Sequence, residues 1–170
     1  MNAIANRKLR KPSSATVAAQ CACGRVRLEI DYPAFWAWHD HSRSTQLAHG
    51  AAYATYVGVW RSRFRIILGR QRIVRFEDKA RQTARSFCST CGTPLLFERA
   101  RSRGMVNVPR ALFETRTGRE PRYHIALEES PEWAYRGEAL GTPQWLLQRR
   151  RVGLGSQSFG NVVQTVSMTI

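Results

Sequence analysis

A chain of 170 residues with a hydrophobic fraction of 43% is long enough to bury a real core and is expected to form one domain. A net charge of +15 and a pI near 11.1 would suit an anionic partner such as nucleic acid, or a small acidic substrate. The excess is almost all arginine, with lysine at Lys8, Lys11 and Lys79, so much of it is expected to form a solvated basic face. No apolar run reaches the roughly 20 residues of a membrane span, and the basic start lacks the apolar core of a secretory signal. A cytoplasmic protein with no membrane partner is therefore expected.

Residues 1–20, with Arg7, Lys8, Arg10 and Lys11, read as a flexible basic arm. From Cys21 onward the pattern is one of short strands. In RVRLEI (25–30) Val26, Leu28 and Ile30 alternate with Arg25, Arg27 and Glu29, the period of a half-buried strand. AAYATYVGVW (51–60) is rich in aromatic and β-branched residues. FRIIL (64–68), a turn at Gly69 and RIVRF (72–76) suggest a hairpin. TARSF, PLLFER and MVNVP follow at similar spacing, and YHIAL (123–127) is a last short strand. EESPEWAYRGEALGTPQW reads as irregular, broken by Pro131, Gly137, Gly141 and Pro143. Short strands at regular spacing, without a three-turn amphipathic helix, point to an all-β sandwich or barrel of antiparallel strands. The domain is expected over 21–145, and residues 146–170 form a tail of unknown structure.

The four cysteines fall in two pairs, Cys21 and Cys23 in CAC, then Cys88 and Cys91 in CSTCG. A Cys-x-x-Cys-Gly turn lets two thiolates converge while glycine permits the tight backbone, and a second pair completes a tetrahedral zinc site. Two disulfides would need an oxidising compartment. A redox-active pair would normally open a helix in a thioredoxin-like pattern, which is absent. The spacing favours one structural zinc on Cys21, Cys23, Cys88 and Cys91, a closed site that would contribute on the order of 10 kcal/mol to folding.

Over roughly 21–145 the order CACGRVRLEI, AYATYVGV, RSFCSTCGTPLLF, YHIALEESPEW resembles the family of glutathione-dependent formaldehyde-activating enzymes and the centromere protein V domain. The resemblance implies a zinc β-sandwich with Cys21, Cys23, Cys88 and Cys91 on the structural ion. It also implies carbon–sulfur lyase chemistry of the S-(hydroxymethyl)glutathione synthase kind. There a second zinc, held by a central CxCxxC loop, captures the glutathione thiol as thiolate and presents it to formaldehyde. This chain departs at that loop. Counting back from Gly50, the three cysteine positions hold Asp40, Ser42 and Thr45, and neutral hydroxyls are poor zinc ligands. A one-residue slip would align His39-x-His41-x-x-Ser44 instead. Histidines at i and i+2 on extended backbone point the same way, and His49 or Asp40 would supply a third ligand. The segment His39, Asp40, His41, His49 is thus the candidate remnant of a second metal loop. His124 reads as a strand or surface residue.

Two functions remain open from the sequence. One is a lyase acting on a glutathione–formaldehyde adduct or another small thiol. The other is a non-catalytic zinc-stabilised module for an anionic partner such as nucleic acid, with Arg61, Arg63 and Arg65 alternating along one strand face and Arg101 and Arg103 on a second stripe.

Overall fold

The computed structural model describes residues 15–134. The first strand, β1 (Thr16–Gln20), takes in the last five residues of the segment read as an arm. Val17 and Ala19 are buried on alternate positions and pack into the core, so the domain begins at β1 rather than at Cys21. The start of the arm, the segment from 135 to 145 and the tail at 146–170 lie outside the described residues.

The remaining strands are β2 (Arg27–Asp31), β3 (Trp36–Asp40), β4 (Ala54–Trp60), β5 (Phe64–Leu68), β6 (Ile73–Asp78), β7 (Thr83–Cys88), β8 (Pro94–Arg99), β9 (Met105–Pro109) and β10 (His124–Ile125). A helix, α1 (Arg43–His49), lies between β3 and β4. A three-stranded sheet runs in the order β1-β2-β5, and a seven-stranded sheet in the order β10-β3-β4-β9-β8-β7-β6. The expected all-β sandwich is present, with antiparallel pairing except for the short parallel pair β10–β3.

Alternation places the core. Leu28 and Ile30 of β2 face Val57 and Val59 of β4 and Val106 and Val108 of β9, with Leu95 between them. Each such side chain taken from water contributes roughly 1.5–3 kcal/mol. The even positions of β4 point to the other face of the large sheet. There Tyr56 joins Trp38 and Phe97 in a second apolar cluster, with Trp38 directly across from Tyr56 in the β3–β4 register. Trp36 lies over Gly58, where a Cβ would stand 1.9 Å from the indole nitrogen. The outer face of the large sheet is therefore built as a second packed surface, and α1 lies beside it.

The hairpin expected over 64–76 does not form. β5 pairs with β2 in the small sheet, whereas β6 pairs with β7 in the large one. Gly69 makes the crossing possible. It adopts φ +75, and a Cβ there would meet the Arg25 carbonyl oxygen at 2.0 Å, so both the left-handed backbone and the close approach require glycine. The stripe Arg61–Arg63–Arg65 breaks up for a related reason, because Arg61–Arg63 form a single 3₁₀ turn before β5. Arg61 reaches Glu98, and Arg65 of β5 pairs with Glu29 and Asp31 across the small sheet.

Candidate metal centre and adjoining cleft

The two cysteine pairs sit on two similar turns at one end of the sandwich. After β1 the chain turns at Gly24, φ +70, whose N–H donates to the Cys21 carbonyl at 2.9 Å. After β7 it turns at Gly92, φ +70, whose N–H donates to the Cys88 carbonyl at 2.8 Å. The Ala22 N–H reaches the Thr93 hydroxyl at 3.2 Å and joins one turn to the other. The four sulfurs lie within 4.8 Å of one another, and none is in a disulfide. Cys21 Sγ is 3.5 Å from Cys23 Sγ, which is 3.9 Å from Cys88 Sγ. Four sulfurs each about 2.3 Å from a tetrahedral ion stand about 3.8 Å apart, so the donor set fits a metal ion.

The turns favour ionisation of Cys21 and Cys91. At Cys23 a backbone hydrogen bond from Arg25 is outweighed by desolvation and the neighbouring thiols, which push that thiol up to about 11. Hydrogen bonding by the Thr93 side chain and backbone brings the Cys91 thiol down to about 5. A thiolate is then present at neutral pH, as metal binding requires. The Val26 N–H donates to Cys21 Sγ at 3.2 Å, the kind of backbone contact that favours a charged sulfur.

The histidine segment is not a loop. His39 and Asp40 end strand β3, and His49 ends α1, with Gly50 closing the helix in the left-handed conformation. Sequence reading missed this strand because His39 and Asp40 interrupt the apolar alternation that Trp36 and Trp38 begin. The four candidates are divided between two surroundings. His39 and His41 do share a side, and both meet His124, which the sequence reading set aside. His124 pairs with His39 in the parallel β10–β3 register, and its Nδ1 lies 2.9 Å from His41 Nε2. Ring centroids stand 5.0 Å apart for His39–His124 and 5.2 Å for His41–His124. Burial, then the neighbouring His124 and His41, lower the His39 pKa. Among the described residues, the cysteines remain the group of three or more potential ligands whose donor atoms converge within 4.8 Å.

Asp40 and His49 belong to the outer face of the large sheet. Asp40, 1% exposed, accepts from the Ser42 N–H at 3.0 Å and lies 3.4 Å from Arg99 Nη2. Ser42 Oγ is 3.1 Å from Thr45 Oγ1, which accepts from Arg85 Nη2 at 2.9 Å. Asp40, Ser42 and Thr45 are thus gathered, and two guanidinium groups already meet them. A divalent ion about 4 Å from a guanidinium would face repulsion on the order of several kcal/mol. Neither arginine carries a local sequence signal. Arg85 comes from β7 and Arg99 from β8, and both lie over the Phe97 ring, at 4.3 and 5.1 Å.

Arg85 Nη1 donates to the Tyr56 hydroxyl at 2.8 Å, and that oxygen lies 2.8 Å from His49 Nε2. A guanidinium has no acceptor, so the Tyr56 hydroxyl accepts from Arg85. Burial, with Arg85 adding to it, pushes the His49 pKa from the ordinary 6.5 to about 4. The unfolded chain therefore takes up a proton that the folded one refuses. The resulting stabilisation is complete above about pH 6.5 and is lost as the pH falls through about 4. It amounts to at most about 3 kcal/mol, and roughly half that after screening at a partly exposed ring. His49→Gln should flatten the dependence of the urea midpoint on pH across this window. An unchanged slope would exclude His49 as its source.

Two turns that gather four thiols on a two-sheet body define a β-sandwich with a cysteine cluster able to hold a metal ion. The family model of the glutathione-dependent formaldehyde-activating enzyme, GFA, matches residues 16–129, and the chain belongs to that family. A crystal structure of a Rhodobacter sphaeroides protein is similar in fold at 21% identity and a TM-score of 0.50, covering 57% of this chain and 87% of that one. No curated protein matches. Among the described residues no helix is long and apolar enough to cross a membrane.

Proposed function

We propose that this GFA-family chain is a zinc-stabilised protein that binds a small anionic thiol derivative of the glutathione class without a second metal and without catalysing the carbon–sulfur lyase reaction for which its family is named. The zinc sits on Cys21, Cys23, Cys88 and Cys91, supported by the 4.8 Å convergence of their sulfurs. Such an ion is fully coordinated and has no open position for substrate. The reading that the ligand is held by protein groups rests on one observation. Of the positions aligned with the family's second set of cysteines, Asp40 meets Arg99 and Thr45 meets Arg85, with Ser42 bonded to Thr45 between them. Fixed positive charge there favours an anion over a metal ion.

A larger basin of about 800 Å³ brings Arg61, Arg101 and Arg103 together with Lys79. It also contains Glu98, which pairs with Arg61 and Arg75, and Asp78, which pairs with Arg81. Arg61, Arg75 and Arg99 of this basin are paired with carboxylates, and the second reading, an anionic partner such as nucleic acid, rests on Lys79, Arg101 and Arg103.

Elemental analysis of the purified protein should find about one zinc per chain, and S-(hydroxymethyl)glutathione should form no faster than in its absence. Two ions per chain, with the second lost on His41→Ala or His124→Ala, would replace this reading with an enzyme whose second metal is rebuilt from the gathered histidines.

A further inference from the structure

We propose that Arg85 is the anchor for a carboxylate, at the head of an apolar cleft that selects small organic acids. The inference rests on the reading above for the class of ligand, and it adds the group that recognises it. The cleft has a volume of about 240 Å³ and lies between α1, the outer face of β7 and the cysteine turn at Gly92. Its walls are apolar, with Phe76, Phe87, Pro94 and Leu96 among them. Phe76 is 61% exposed, a large apolar surface left open to solvent beside a cation. Ala48, Phe76 and Arg85 also line a second cavity of about 410 Å³.

Arg85 is the single formal charge in the smaller cavity, because the His49 ring that shares it is neutral. Arg61, Arg65, Arg75, Arg81 and Arg99 each pair with a carboxylate, and none of these ion pairs involves Arg85. Its acceptors are the hydroxyls of Tyr56, Thr45 and Ser44, at 2.8, 2.9 and 3.4 Å. A guanidinium carries five N–H donors. With three directed at neutral oxygens, its charge is oriented without a direct carboxylate contact among the described residues. Stacking on Phe97 at 4.3 Å holds the plane in place. A half-buried, pre-oriented guanidinium outside every ion pair of the described residues, facing an apolar cavity, matches a carboxylate on an apolar body, and charge-assisted bonds are the stronger kind.

The test uses the zinc-loaded full chain with phenylacetate, phenylacetamide and S-methylglutathione, followed by calorimetry. Phenylacetate should bind saturably and phenylacetamide at least tenfold more weakly. Arg85→Gln should reduce phenylacetate to the level of the amide, whereas Arg85→Lys should retain part of the difference. Equal binding of acid and amide to the parent protein, no saturable binding of the acid, or undiminished binding by a folded Arg85→Gln would each overturn the assignment. The comparison of acid with amide on the parent decides the matter even where a variant does not fold. S-methylglutathione separates the two readings. If it binds parent and Arg85→Gln alike, the anchor falls and the small-thiol reading stands. If phenylacetate binds through Arg85 but S-methylglutathione does not bind, the small-thiol reading falls and the anchor stands.

Discussion

Cys88→Ser is expected to leave the chain unable to reach its folded state, and chelation of the parent protein should have the same effect. Cys88 is fully buried at the end of β7 and belongs to the sandwich core. The ion it would share with Cys21, Cys23 and Cys91 ties the turn between β1 and β2 of the small sheet to the end of β7, beside the edge strand of the large one, across 65 residues counted from Cys23 to Cys88. Closing a loop of that length costs about 4 kcal/mol in chain entropy, which a bound ion at the crossing point offsets. Apparent binding energies for structural zinc are on the order of 10 kcal/mol, comparable to the whole net stability of a domain. Near-UV circular dichroism reports the buried tryptophans, and both treatments should abolish that signal. A Cys88→Ser protein that melts cooperatively within a few degrees of the parent would show that the fold does not depend on the ion.

Asp40→Ala should destabilise the chain by about 3–5 kcal/mol, the usual consequence of removing one partner from a buried ion pair. Asp40 is 1% exposed and the Arg99 side chain 18%. Burial lowers the Arg99 pKa, and Asp40 works against that. Without the carboxylate, Arg99 keeps its contact with Phe97 but loses its counter-charge in a poorly hydrated place. The Ser42 N–H, which donates to Asp40 at the entry to α1, also loses its partner. Urea unfolding would measure the loss. The double substitution Asp40→Ala with Arg99→Met should recover much of it, since the uncompensated charge leaves together with its former partner. A double variant as unstable as the sum of the two single ones would assign the cost to packing instead.

Some of this was legible in the amino-acid sequence, and the reason differs from one feature to the next. Leu28 and Ile30 announced their strand because a sheet with one face buried imposes alternation on neighbouring residues. The cysteine pairs were readable because each lies within a turn of three or four residues with its own glycine. Strand β3 was hidden, since the large sheet is covered on both faces at Trp38 and Tyr56 and polar residues enter at His39 and Asp40. The false hairpin at 64–76 came from reading Gly69 as a return turn, when its close approach to Arg25 sends the chain to the other sheet. His124 was set aside because its meeting with His41 spans 83 residues and depends on a two-residue parallel pairing.

The sequence by itself determined the sandwich class, the four thiols and the presence of Asp40, Ser42 and Thr45 where the resemblance expects cysteine, all of which are matters of residue type and local period. The tertiary structure alone decided that Arg99 meets Asp40 and Arg85 meets Thr45, that the candidate histidines divide between two surroundings, and that the Arg85 guanidinium lines an apolar cleft outside every ion pair of the described residues. The physical reason is that charge compensation and burial are properties of neighbours in space. Strands β7 and β8 acquire theirs through pairing with partners far along the chain, and no local pattern records that pairing.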